Sequence, residues 1–123
     1  MRTLTIIARS LLGLTFVVFG LNAFLHFIPM PPPQGMAGDF MKALFVSHYF
    51  YVVAVLQIAG GAICLLGRFV PLGLTLVGPV IVNILLYHLF LEPSGLPLAL
   101  VVGALALLLL WINRAAFSGL IKP

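Results

Sequence analysis

Four apolar stretches, separated only by short polar or proline-rich breaks, dominate this 123-residue chain. A bilayer crossing needs roughly 20 predominantly apolar residues, and the stretches fall at about residues 4–28, 42–66, 70–91 and 96–113. Hydrophobic residues make up 63% of the chain and charged residues 7%, a balance no soluble domain of this size could fold around. The expected fold is therefore all-α: one multi-pass membrane domain, residues 1–123, with four transmembrane helices in an antiparallel bundle.

The opening "MRTLTIIARSLLGLTFVVFGLNA" also has the layout of a secretory signal. Arg9 interrupts its apolar region, however, and the run continues past Ala23 to spanning length, so a retained first helix is expected. An even number of spans puts Arg2, Arg9, Arg68, Arg114 and Lys122 on one side of the membrane and Lys42 alone on the other. Basic residues in short loops stay cytoplasmic. Both termini are thus expected inside, in a bacterial inner membrane, with Asp39 and Glu92 outside. The net charge of +4 reads as a topology signal, and no basic face interleaved with aromatic residues suggests nucleic acid.

Cys64 is the only cysteine, which excludes a self-contained thiol–disulfide relay. Helices in lipid gain nothing from burying apolar surface against each other, so close packing relies on small residues. Gly13 and Gly20 share a stripe with Arg9 and Phe16 on the first helix; Ala59, Gly60, Gly61 and Ala62 lie on the second, Gly73 and Gly78 on the third, Ala99 and Gly103 on the fourth. Pro79 should bend the third span. In the first connection, "IPMPPPQGMAGD", clustered prolines argue for an extended external flap. "LEPSGLP" is a short turn on the same side, and "GRFVP" is shorter still, which makes the second and third helices antiparallel neighbours.

Polar residues inside these spans demand an explanation, because they are costly in lipid and usually pair, face the interior or mark a site. Converting residue number to depth places His26, His48 and His88 at one height near the outer ends of their helices, with Asn22, Asn83, Tyr49, Tyr51 and Tyr87 in the same outer half. Glu92 follows one turn beyond His88, and Gln57 is deepest, on one face with Gly61 and Cys64. Interfacial anchoring accounts for His48, Tyr49 and Tyr51. Asn22 with His26, and Asn83 with Tyr87, are each four residues apart and would share a helical face lining an outward-opening polar pocket. Asn22, however, lies nearly opposite the Gly13–Gly20 stripe, and Asn83 and His88 diverge around their helix. The candidate ligand-binding set is Asn22, His26, Gln57, Asn83, Tyr87, His88 and Glu92, with no catalytic residue assigned.

Three histidines at one height, beside Met30, Met36 and Met41 in the flap, form a weak metal candidate through His26, His48 and His88. No HxxxH or CxxC spacing supports it. Gln57 could hydrogen-bond a quinone carbonyl, although an interhelical bond is the commoner role of a buried membrane amide.

"ARSLLGLTFVVFGLNAF", "VLQIAGGAICLLGRFVPLG" and "NILLYHLFLEP" together resemble the DoxX-like family of small four-helix membrane proteins over nearly the whole chain. The resemblance rests on Arg9, Gly13, Phe16 and Gly20 in the first helix, Gly60, Gly61 and Gly67 around the second, and His88 closing the third. Many members of that family carry an acid at the position of Gln57 and a lysine near that of Asn22. Both are neutral amides here, which favours hydrogen bonding over proton transfer by a buried carboxylate. The resemblance implies one of two roles: a quinone-facing subunit of a sulfur-compound oxidoreductase, or an assembly factor that binds other membrane proteins. With no nucleophile beside an evident base and no phosphate-binding loop, the expected role is non-catalytic: an accessory subunit binding a small amphipathic ligand or a partner transmembrane helix. Membrane lipids, another membrane protein or a second copy are the expected partners. The alternatives are the quinone-linked subunit, with His26, His88 and Gln57 holding the quinone, and a His/Met metal-binding protein.

Overall fold

The computed structural model describes residues 2–123, and among them there are helices and turns but no strand. The first spanning helix, α1, covers Arg2–Leu25; α2, Gly35–Val46, is a shorter helix; α3 (Tyr49–Leu66), α4 (Val70–Phe90) and α5 (Leu96–Ile112) complete the bundle. A single turn of helix, α6 (Arg114–Phe117), follows. The four long helices are each apolar and long enough to cross a membrane. They close into a ring in which α1 packs on α3, α3 on α4, α4 on α5 and α5 on α1. A multi-pass membrane bundle is the result, with the start of α1, the end of α5 and the α3–α4 turn at one end and the other connections at the opposite end. Five cations, Arg2, Arg9, Arg68, Arg114 and Lys122, gather at the first, basic end.

Contact between α1 and α3 is made backbone to backbone. A Cβ on Gly13 would stand 2.6 Å from the Gly61 carbonyl oxygen, and one on Gly61 would stand 2.7 Å from that of Gly13. Towards the loop end, Gly20 meets Ile58 and Ala54, so rising numbers in α1 meet falling numbers in α3: the pair is antiparallel. The neighbouring Gly60 does the same for α4, where a Cβ would lie 3.0 Å from the Gly73 carbonyl. Two adjacent glycines therefore serve two different helices. In the remaining interior, Leu12, Phe16, Val77, Ile81, Val102 and Leu109 make an apolar core.

Two sequence expectations need correction. The second span does not run from residue 42: α2 ends at Val46, His48 adopts a left-handed conformation (φ 66°), and α3 begins at Tyr49. Neither proline nor glycine announces this break. It is held instead by the Ser47 hydroxyl, which accepts from the Tyr49 N–H (3.3 Å), and by Phe45 packed at a tilt against Phe50, ring centroids 4.7 Å apart. The proline connection is also only partly extended, since helix resumes at Gly35, two residues after Pro33. With Asp39 and Lys42 exposed on one side, Met36 and Phe40 exposed on the next and Ala37 buried, α2 has the pattern of a helix lying in the membrane interface.

Candidate functional site: two amides at membrane depth

A helix end leaves carbonyls without partners, and in lipid no water is present to satisfy them. Five of the polar residues singled out above, Asn22, His26, Tyr87, His88 and Glu92, gather at such helix ends. At the end of α1, His26 turns left-handed (φ 51°) and its N–H bonds the Asn22 carbonyl at 2.9 Å. Asn22 Oδ1 then accepts the Ile28 N–H at 2.8 Å, so the chain folds back over an amide that is buried although it lies opposite the glycine stripe. His26 itself is exposed. The two residues form a helix-ending device and do not line one face of a continuing helix, because α1 stops at Leu25.

At the basic end of α3, Gly67 is left-handed (φ 75°) and its N–H reaches the Ile63 carbonyl at 3.1 Å. Arg9 takes two more of the end carbonyls: its Nη1 donates to those of Leu65 (2.7 Å) and Cys64 (3.2 Å). A positive charge beside the negative end of a helix dipole adds to these bonds. Arg9 is thereby a cation bound by an apolar helix pair, and the glycine contact beside it brings the two helices near enough for the reach. The sequence reading placed Arg9 on the packing stripe but did not assign it this role.

At the loop end of α4, the Tyr87 carbonyl takes the N–H groups of Leu91 (2.8 Å) and Glu92 (3.0 Å), and His88 Nδ1 donates to the Glu92 carbonyl at 3.0 Å. A carbonyl only accepts, so this bond fixes the proton on Nδ1. The Pro93–Gly95 turn wraps the imidazole so closely that any side chain at Gly95 would strike the ring. Glu92 Oε1 accepts from the Ser94 hydroxyl at 2.8 Å. Tyr87 packs its ring on Phe40 of α2 at 5.8 Å. Asn113 completes the series, donating from Nδ2 to the Leu109 carbonyl at the end of α5 (2.8 Å).

The polar set therefore separates into local groups. Tyr87, His88 and Glu92 come together at the end of α4, and Asn22 and His26 at the end of α1. Equal height does not make the histidines a metal site: among the described residues, no three His, Cys, Asp or Glu side chains lie close enough to share an ion. Two residues remain that close no helix end. Gln57 sits midway along α3, 5% exposed, and its Oε1 is buried with no hydrogen-bond partner among the described residues. An unmade hydrogen bond of this kind costs about 1–3 kcal/mol. Asn83 lies about 10 Å inside the loop end of α4 by helical rise, yet its side chain is exposed. Its Nδ2 folds back onto the Pro79 carbonyl at 2.8 Å, leaving Oδ1 open.

The surface around Asn83 is polar for a second reason. Pro79 has no N–H, so the carbonyl of Thr75, one turn earlier, loses its helical donor while α4 runs on unbroken. Thr75, Pro79 and Asn83 are all exposed, and at four-residue spacing they form a ridge along α4. Among the described residues, no side chain covers this ridge.

The chain matches no family model, no curated protein and no solved structure.

Proposed function

We propose that this protein is a non-catalytic accessory subunit of the DoxX-like type, which binds a partner transmembrane helix along the Thr75–Pro79–Asn83 ridge of α4. The observation that carries the reading is Asn83, an exposed amide on a helix surrounded by lipid, with an acceptor oxygen open. Polar side chains at that depth face a partner, and small or polar residues join helices where apolar burial offers no drive. The partner would supply a hydroxyl or amide donor to Asn83 Oδ1. The resemblance of the Arg9–Gly13–Phe16–Gly20 and Gly60–Gly61–Gly67 patterns to that family supports the same reading. Both termini lie in the cytoplasm of a bacterial cell and the protein in its inner membrane, as the clustering of cations at one end favours.

Photocrosslinking in native membranes tests this. A crosslinker replacing Leu86, exposed on α4, should give a discrete adduct with a membrane protein, while one replacing Leu14, exposed on α1, should not. Asn83→Leu should remove the adduct without lowering the amount of folded protein. An adduct unchanged in Asn83→Leu would sink the reading.

A quinone-linked role is favoured by one observation, the unpartnered Oε1 of Gln57. That oxygen can accept a hydrogen bond from a quinol hydroxyl that enters the bundle. A quinol that copurifies with the wild type under reducing conditions and is lost in Gln57→Leu would support this role over helix binding.

A further inference from the structure

Between α4 and α5 the packing is open. A groove of about 330 Å³ runs down this side of the bundle, lined by Leu74, Gly78, Val82, Gly103, Ala106 and Leu110, with Phe117 of α6 at its basic-end mouth. Its walls are aliphatic, and it lies at acyl-chain depth. Where α5 gives way to α6, Arg114 is exposed, with its guanidinium 4.4 Å over the exposed Trp111 ring and its Nη1 on the Trp111 carbonyl at 2.8 Å. Trp111 follows Leu110 directly, and Arg114 begins the helical turn whose Phe117 closes the groove. A cation and an indole thus stand at headgroup level beside an apolar slot.

The charge of that end selects the occupant. Arg2, Arg68, Arg114 and Lys122 are all exposed there, and the chain's two acids, Asp39 and Glu92, belong to the opposite end. Neither Asp39 nor Glu92 is at hand to neutralise Arg114. We infer that the α4–α5 groove is a binding site for an anionic phospholipid, which lays an acyl chain between Gly78 and Gly103 and sets its phosphate on Arg114. Trp111 holds the guanidinium in place from beneath, leaving its outer donors for phosphate oxygens. This site lies on a different face of α4 from Asn83 and stands independently of the helix-binding role.

Native mass spectrometry of the detergent-purified protein, after incubation with phosphatidylglycerol or phosphatidylcholine, tests the site with two variants. In Gly78→Leu the new side chain enters the groove, since a Cβ there meets nothing within 4 Å. Arg114→Gln removes the charge. The wild type should retain phosphatidylglycerol about fivefold better than phosphatidylcholine, the selectivity expected of one basic residue near a headgroup. Arg114→Gln should bring the two lipids to parity, and Gly78→Leu should lose both. Equal retention of the two lipids by the wild type, or phosphatidylglycerol retention unchanged in Arg114→Gln, would overturn the proposal. Arg114 lies outside the packed core, so that variant decides the matter even if Gly78→Leu fails to fold.

Discussion

The α1–α3 and α4–α5 interfaces are built on similar sequence, apolar helices carrying spaced small residues, and they pack differently. At Gly13 and Gly61 the backbones touch, and a Cβ on either would fall within 2.7 Å of the partner's carbonyl oxygen. At Gly103 a Cβ would stand 3.5 Å from the Leu85 side chain, an ordinary contact, and at Gly78 it would meet nothing. Small residues are therefore necessary for close approach in lipid without being sufficient for it. The α1–α3 pair also has a directional bond, Arg9 onto the end of α3, that fixes how the helices meet. No comparable side-chain bond joins α4 to α5 among the described residues, and a groove remains.

The same substitution should separate the two interfaces. Gly61→Ala drives a methyl group into the Gly13 carbonyl, and should destabilise the bundle by about 3 kcal/mol or more, the upper range for overpacking. Reversible unfolding in mixed micelles would measure it, and a neutral result would mean that α1 and α3 do not touch there. Arg9→Leu should cost about 2 kcal/mol, within the range for hydrogen bonds made by a charged group. Its loss should appear first as faster amide exchange in the last turn of α3. Gln57→Leu should act in the opposite direction, raising stability by about 1–2 kcal/mol, because it removes an acceptor that has no partner. A destabilising result would show that Gln57 Oε1 is engaged in the membrane. Smallest is Gly103→Ala, expected to stabilise by about 0.5–1 kcal/mol through helix propensity alone. A loss there comparable with that of Gly61→Ala would erase the difference between the interfaces.

Much of this architecture was legible in the chain. Apolar stretches of spanning length led directly to four helices, and the third and fourth spans end within a residue of expectation, at Phe90 and Ile112. The α2–α3 break was missed because it depends on His48 in a left-handed conformation, with aromatic rings packed around it, and "FVSHYF" contains no residue that cannot continue a helix. Ser47 was the available hint, as a residue type that favours helix starts. For the polar residues, the sequence supplied their depth and left their direction open. Asn22 lies opposite the packing stripe and is nonetheless buried, because the chain beyond Leu25 returns over it. Helical spacing cannot anticipate a burial made by a loop.

Hydropathy and length thus determined by themselves the membrane class, the number of crossings and the collection of cations at one end, because lipid leaves a backbone few choices but to satisfy itself within each segment. Only the tertiary structure decided which glycines meet a backbone and which border a groove. It alone distinguished the polar residues gathered at helix ends from Gln57 and Asn83, which lie within their helices. That distinction rests on distances of a few ångströms between segments remote in sequence, and no periodicity within one segment encodes them.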